Sequence, residues 1–110
     1  MSNSSLATLQ VPAYEGNYTK GREGKQIKKI TIHHFAGRIS AYNGGLVFQR
    51  PGRDGSSHYG IGYDGEIAQY VDEENTAWTD SNWESNTTSV TIETSNDSAG
   101  GDWPVNDITL

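Results

Sequence analysis

The stretch HYGIGYDGEIAQYV, residues 58 to 71, constrains the fold more than any other part of the chain. Two strand-like runs flank Asp64-Gly65, and an Asp-Gly pair takes the positive φ values of a type I′ turn, whose twist suits a two-residue hairpin. Tyr59, Tyr63 and Tyr70 are expected to support that hairpin by cross-strand packing. Two further runs carry the period of a strand. In IKKITIHH, Ile30 and Ile32 alternate with Lys29, Thr31 and His33, and in SVTIET, Val90 and Ile92 alternate with Thr91 and Glu93. Period two means one buried face, and the apolar side chains mark it as the isoleucine and valine face.

The rest of the chain is read as turns, one helix and an arm. RISAYNGGLVFQR is expected to form a short helix with Ile39, Tyr42, Leu46 and Phe48 inward, weakened at Gly44-Gly45 by about 1 kcal/mol per glycine relative to alanine. RPGRDGSS is a turn-rich loop, and DEENTAWTDSNWESNTT is a long polar loop that holds Trp78 and Trp83. Loops that hold large aromatic residues are often binding loops. Near the end, Asn106 or Asp107 has the character of an N-cap opening a short helix. Residues 1–24 are polar, contain Gly16, Gly21 and Gly24, and are expected to be an extended N-terminal arm with a short strand near Leu9 to Tyr14. Residues 25–110 form the main domain.

Composition excludes several classes of function. At 110 residues the chain is one small domain, and a domain of this size buries only about two-thirds of the surface its unfolded form exposes. Eight basic against fourteen acidic residues give a net charge of -6. The largest basic cluster is Lys28-Lys29 with Lys25, which argues against a nucleic-acid partner. With no cysteine, any metal must be held by nitrogen and oxygen ligands. MSNSSLATLQ lacks the basic start and apolar core of a signal peptide, and no stretch approaches the roughly twenty apolar residues of a membrane span. The expectation is a soluble product made in the cytoplasm, with no membrane partner.

Chemistry enters when the two alternating strands are placed side by side. Neighbouring side chains on a strand point to opposite faces, so His33 and His34 do not enter one site together. His34 shares the isoleucine face and is expected to be buried and hydrogen-bonded to backbone. His33 and Glu93 both fall on the other face, where they flank a common cleft if their strands share a sheet. A histidine and a glutamate so placed suit metal-assisted hydrolysis, in which imidazole holds zinc, bound water acquires a pKa of about 7, and the carboxylate takes its proton. One histidine is not a zinc site, because catalytic zinc usually has three protein ligands.

ITIHHFAG, SSHYGIGYDGEIAQYV, TAWTDSNWESNTTSVTIETSND and GGDWPVND, in this order and spacing, resemble the front part of the type-2 N-acetylmuramoyl-L-alanine amidase family. The similarity is greatest to endolysins of bacteriophages that infect Gram-positive hosts, and the family also includes the peptidoglycan recognition proteins. The resemblance runs from about Lys28 to the C-terminus. It implies an α/β fold with a central mixed β-sheet and flanking helices, a zinc ion in a surface groove, and bacterial peptidoglycan as the partner. The reaction it implies is hydrolysis of the amide joining N-acetylmuramic acid to the first L-alanine of the stem peptide. Carried over by position, His33 is the first zinc ligand and Glu93 the group that activates water. His58 matches a histidine that opens the family's hairpin and is not usually a ligand. It is grouped with Trp78 and Thr79 as a substrate-binding residue, Thr79 standing where many members have a histidine.

The second and third ligands of the family lie in a segment beyond its next helix, and no counterpart is seen up to Leu110, so the domain is expected to be incomplete at its C-terminus. Loss of a covering helix would expose an apolar sheet face. Two readings follow from the resemblance: a zinc amidase of the endolysin type, acting on the wall after release from the host cytoplasm, or a domain that binds peptidoglycan without cleaving it. A glycosidase using two carboxylates fits poorly, because no acidic pair sits in a recognisable motif.

Overall fold

The computed structural model describes residues 3–35, 37–80 and 82–95. Its framework is a five-stranded mixed sheet made of β1 (Leu9–Gln10), β3 (Lys29–His34), β4 (Tyr59–Ile61), β5 (Ile67–Gln69) and β7 (Ser89–Thr94), in the order β1-β5-β4-β7-β3. Only β4 and β5 pair antiparallel, while β3 and β4 run parallel to β7 on its two sides. A second, two-stranded sheet joins β2 (Tyr18–Thr19) to β6 (Thr76–Ala77). Among the described residues the α-helices are α1 (Ala41–Phe48) and α2 (Trp83–Thr88). This is the expected α/β architecture with a central mixed sheet.

The hairpin forms, but its turn differs from the expected one. Gly62 N–H donates to the Glu66 carbonyl (2.9 Å) and Gly65 N–H to the Gly62 carbonyl (3.0 Å). Positive φ occurs at Gly65 (84°) and not at Asp64. A type I′ turn needs positive φ at both central residues, so the connection is a three-residue loop closed by a left-handed glycine.

Helix α1 opens at Ser40, whose hydroxyl accepts from the Asn43 N–H at 3.1 Å, a standard N-cap. Its packing face consists of Ala41, Gly44, Gly45 and Phe48, whereas Tyr42 is exposed. The glycine pair is therefore the contact surface and not a weak point to be tolerated. A Cβ on Gly44 would lie 2.5 Å from the Phe35 ring, and one on Gly45 would lie 2.6 Å from Tyr70 and 2.7 Å from Val11. Phe48 meets Tyr70 edge-on at 5.4 Å between centroids, an arrangement worth about 1 kcal/mol beyond its buried area.

The N-terminal segment is not a separate arm. Val11, Ala13, Asn17 and Arg22 are all buried, β1 pairs with β5, and β2 pairs with β6. The long polar loop is likewise structured, since β6 and α2 lie within it. The helix expected at Asn106 or Asp107 lies outside the described residues.

A further correction concerns which sheet face is inside. Ile30 and Ile32 are 67% and 60% exposed, Val90 and Ile92 are half-buried, and His34 is exposed with Nδ1 3.4 Å from the Thr94 hydroxyl. Alternation correctly sorted residues onto two faces, but it says nothing about which face the rest of the chain covers. Here Tyr70 and the glycine face of α1 pack on the side carrying Gly60 and Glu93, so the more polar face is the enclosed one.

Candidate functional site

Strands β3 and β7 run parallel and in register, with His33 opposite Glu93. The two side chains therefore emerge side by side on the enclosed face, as the alternation required. Among the described residues neither is satisfied: His33 Nε2 and Glu93 Oε2 are buried and find no hydrogen-bond partner there. Buried polar atoms in folded proteins are almost always paired, so two orphans on adjacent residues mark a place built for something other than the protein itself. Burial pushes the Glu93 carboxyl up to about 7, opposed by the positive charge of Arg53. At that value both protonation states are populated near neutrality, as a group that accepts and returns a proton requires.

Glu93 lies in a groove of about 370 Å³ walled by Phe48, Arg53, Asp54, Ser56, Trp78, Thr79 and Asp80. Beyond Phe48, Arg53 and Glu93 it continues into a more apolar depression of about 290 Å³ bounded by His34, Phe35, Ile39 and Val47. The first groove also opens past Asp54, Trp78 and Asp80 towards Trp83 and Asn86. Scaffold contacts fix these walls. Trp78 donates its indole N–H to the Thr19 hydroxyl at 2.8 Å, and its main chain exchanges two hydrogen bonds with Ser56. Thr79 Oγ1 donates to the Ser56 carbonyl at 3.0 Å and lies 2.7 Å from Thr91 Oγ1, so its hydroxyl is already committed to the wall it belongs to.

His58 is placed quite differently from a substrate-binding residue. It is 0% exposed. Its Nδ1 accepts from the Thr91 N–H (3.1 Å), which assigns the proton to Nε2, and Nε2 donates to the Asn75 carbonyl at 2.8 Å. Burial first, and the neighbouring Arg22 charge with it, hold its pKa down at about 4 against the Asn75 hydrogen bond. A neutral, enclosed and fully partnered imidazole has no face to offer a ligand, and its role is to tie β4 to β7 and to the loop after β5.

His33 Nε2 is an unpartnered nitrogen of the right kind for zinc, but among the described residues no group of three His, Cys, Asp or Glu side chains could hold a metal ion. One ligand position does not make a zinc site, so the described residues alone do not fit one.

Three contributors carry no role in the sequence pattern. Arg53 is the cation beside Glu93, and its signal was available: Pro51-Gly52 in RPGRDG is the centre of a type II turn, seen here with Gly52 at φ 83° and Arg53 N–H donating to the Arg50 carbonyl. Arg22 and Asn17 lie in the stretch read as an arm, where no periodic pattern distinguished them.

The family profile described as N-acetylmuramoyl-L-alanine amidase matches residues 23–109. Among solved structures, a mutant endolysin from Bacillus subtilis is similar at 26% identity and a TM-score of 0.66, with 86% of this chain and 64% of that one aligned. The catalytic domain of XlyA aligns at 23% identity and a TM-score of 0.67, over 86% and 64% of the two chains. A selenomethionine derivative of AmpD aligns at 21% identity and 0.65, over 86% and 63%. This chain thus spans less than two-thirds of each of those structures. No curated protein matches it.

Proposed function

This chain belongs to the N-acetylmuramoyl-L-alanine amidase family, and from that premise we propose that its groove takes the junction between N-acetylmuramic acid and L-alanine in bacterial peptidoglycan and hydrolyses the amide there, as an endolysin does. The observation that carries the reading is the adjacent pair of orphaned buried atoms, His33 Nε2 and Glu93 Oε2. Glu93 is the proton carrier. As carboxylate it takes a proton from the attacking water, the water oxygen bonds to the carbonyl carbon, and the acid so formed returns the proton to the departing alanine nitrogen as the C–N bond breaks. Burial raises its basicity for the first step and keeps it a usable acid for the second. Trp78 and Thr79 form part of the wall of the same groove.

The proposal includes zinc, with His33 as one ligand and the other ligands outside the described residues. A second reading is favoured by the single ligand position: the domain binds peptidoglycan without cleaving it. Zinc stoichiometry of the purified chain, with His33→Ala as control, separates the two. One-to-one binding abolished by the substitution, together with muropeptide turnover lost in Glu93→Gln, is the expected result. Absent binding, or binding indifferent to His33, sinks the zinc amidase reading for this chain and leaves the binder.

A further inference from the structure

The two edges of the groove converge on a residue that precedes the family match at residues 23–109. Asn17 ends a single 3-10 turn (Glu15–Asn17) and is 0% exposed. Its Nδ2 donates to the Phe48 carbonyl at 2.8 Å and to the Arg50 carbonyl at 2.9 Å. Its Oδ1 accepts from the Asp54 N–H at 3.0 Å. Its backbone carbonyl accepts from the Ser56 hydroxyl at 2.8 Å, and that hydroxyl oxygen in turn accepts from the Trp78 N–H at 3.0 Å. One side chain and its own carbonyl thus hold the end of α1, the Arg53 turn and, through Ser56, the Trp78 wall.

The loop needs such a clamp. Between Gln49 and His58 no residue is helix or strand, so no ladder takes up its main-chain groups. Asp54 sits at φ 57°, a left-handed conformation that a residue with a Cβ holds only when its surroundings require it. The contact set asks for two donors and one acceptor in one plane, which a carboxamide supplies. Aspartate would set a carboxylate oxygen against two carbonyls.

We propose that Asn17 is a positioning residue of the groove: it sets the Arg53–Asp54 edge and the Trp78–Thr79 edge at a fixed separation, so that the segment before the family match is part of the site. The functional half of this inference rests on the groove being the muropeptide site, and the structural half does not.

The test is amide hydrogen exchange on the wild-type chain, on Asn17→Ala and on Val11→Ala, paired with calorimetric affinity for a muramoyl tripeptide. Val11 is a core residue of the same segment and controls for general destabilisation. In the wild type the Asp54 amide, although in an exposed loop, exchanges as slowly as the amide of Tyr70, which donates to the His58 carbonyl at 2.8 Å. In Asn17→Ala the Asp54 and Trp78 amides speed up by about tenfold relative to Tyr70, and the peptide dissociation constant rises by about tenfold, the counterpart of one or two lost buried hydrogen bonds. Val11→Ala moves all amides together and leaves affinity within about twofold. An unprotected Asp54 amide in the wild type, or a uniform change in Asn17→Ala with affinity intact, overturns the proposal. The wild-type measurement decides even if Asn17→Ala does not fold. A wild type that binds no muropeptide defeats the proposed function, while the exchange pattern still decides the role of Asn17.

Discussion

Thr91 and Glu93 stand two residues apart on the same face of β7, yet one belongs to a closed network and the other to an open one. Around Thr91, the His58 ring and the Arg22 guanidinium are both held by main-chain groups: Arg22 donates to the Glu73 carbonyl at 2.7 Å and the Thr87 carbonyl at 3.0 Å, and His58 accepts from the Thr91 N–H at Nδ1 and donates from Nε2 to the Asn75 carbonyl. Around Glu93, a carboxylate oxygen and the adjacent His33 nitrogen are shut off from water with nothing to bond among the described residues. The first arrangement adds to stability. The second subtracts from it, which a small domain tolerates only for a site it uses. The boundary between scaffold and site in this molecule therefore crosses a single strand within one side-chain repeat.

The largest effect that would break this comparison lies on the closed side. His58→Leu leaves the Asn75 carbonyl and Thr91 N–H buried and unpaired, and the cost is expected to be about 3 kcal/mol in urea unfolding. A loss under about 1 kcal/mol would mean that the network is decoration. On the open side the sign reverses. Burial moves Glu93 from 4.5 to about 7, so at pH 8 the folded chain carries a charge that the unfolded chain holds more easily. Glu93→Gln, in chelator-treated protein, is expected to gain about 2 kcal/mol at pH 8 while losing turnover. A destabilised Glu93→Gln would show that the carboxylate is better satisfied than its surroundings suggest.

The smallest effect is the pH profile, and it sharpens the contrast. His58 is held at about 4 against an ordinary 6.5. Its unfolded form binds more protons between those values, so its contribution is complete above 6.5 and is lost as pH falls towards about 4. Glu93 runs the other way: its folded form binds more protons between 4.5 and about 7, and stability falls as pH rises through that window. Between pH 4.5 and 6.5 the two slopes oppose each other, and wild-type stability should be comparatively flat. Removing one unmasks the other, so Glu93→Gln should lose stability on acidification more steeply than the wild type in thermal melts.

Much of this arrangement was readable from residues. The alternation in KITIHH and SVTIET placed His33 and Glu93 on one face, and the register of β3 with β7 made them neighbours. The hairpin was readable too, apart from a turn whose left-handed demand falls on Gly65 alone. Alternation could not tell which face would be covered, because that depends on elements remote in sequence, namely α1 and the loop after β5. For the same reason alternation points the isoleucines inward, while the grouping of His58 with the substrate-binding residues follows from the family resemblance and not from any pattern that fixes its face. Asn17 and Arg22 were invisible for a different reason. Their partners are backbone carbonyls of distant loops, and backbone carbonyls leave no trace in side-chain patterning.

The exposed isoleucines of β3 also bear on how the chain behaves in a tube. Among the described residues β3 is the last strand of the sheet order, so its outer edge there presents main-chain donors and acceptors beside two uncovered branched side chains, a template for strand addition by any extended chain. Lys28 and Lys29 guard only its entrance. The net charge of -6 at pH 7 keeps copies apart, but that repulsion fades as carboxylates protonate. Purification near neutral pH and low ionic strength should therefore keep the chain dispersed, and acidic elution should cloud it.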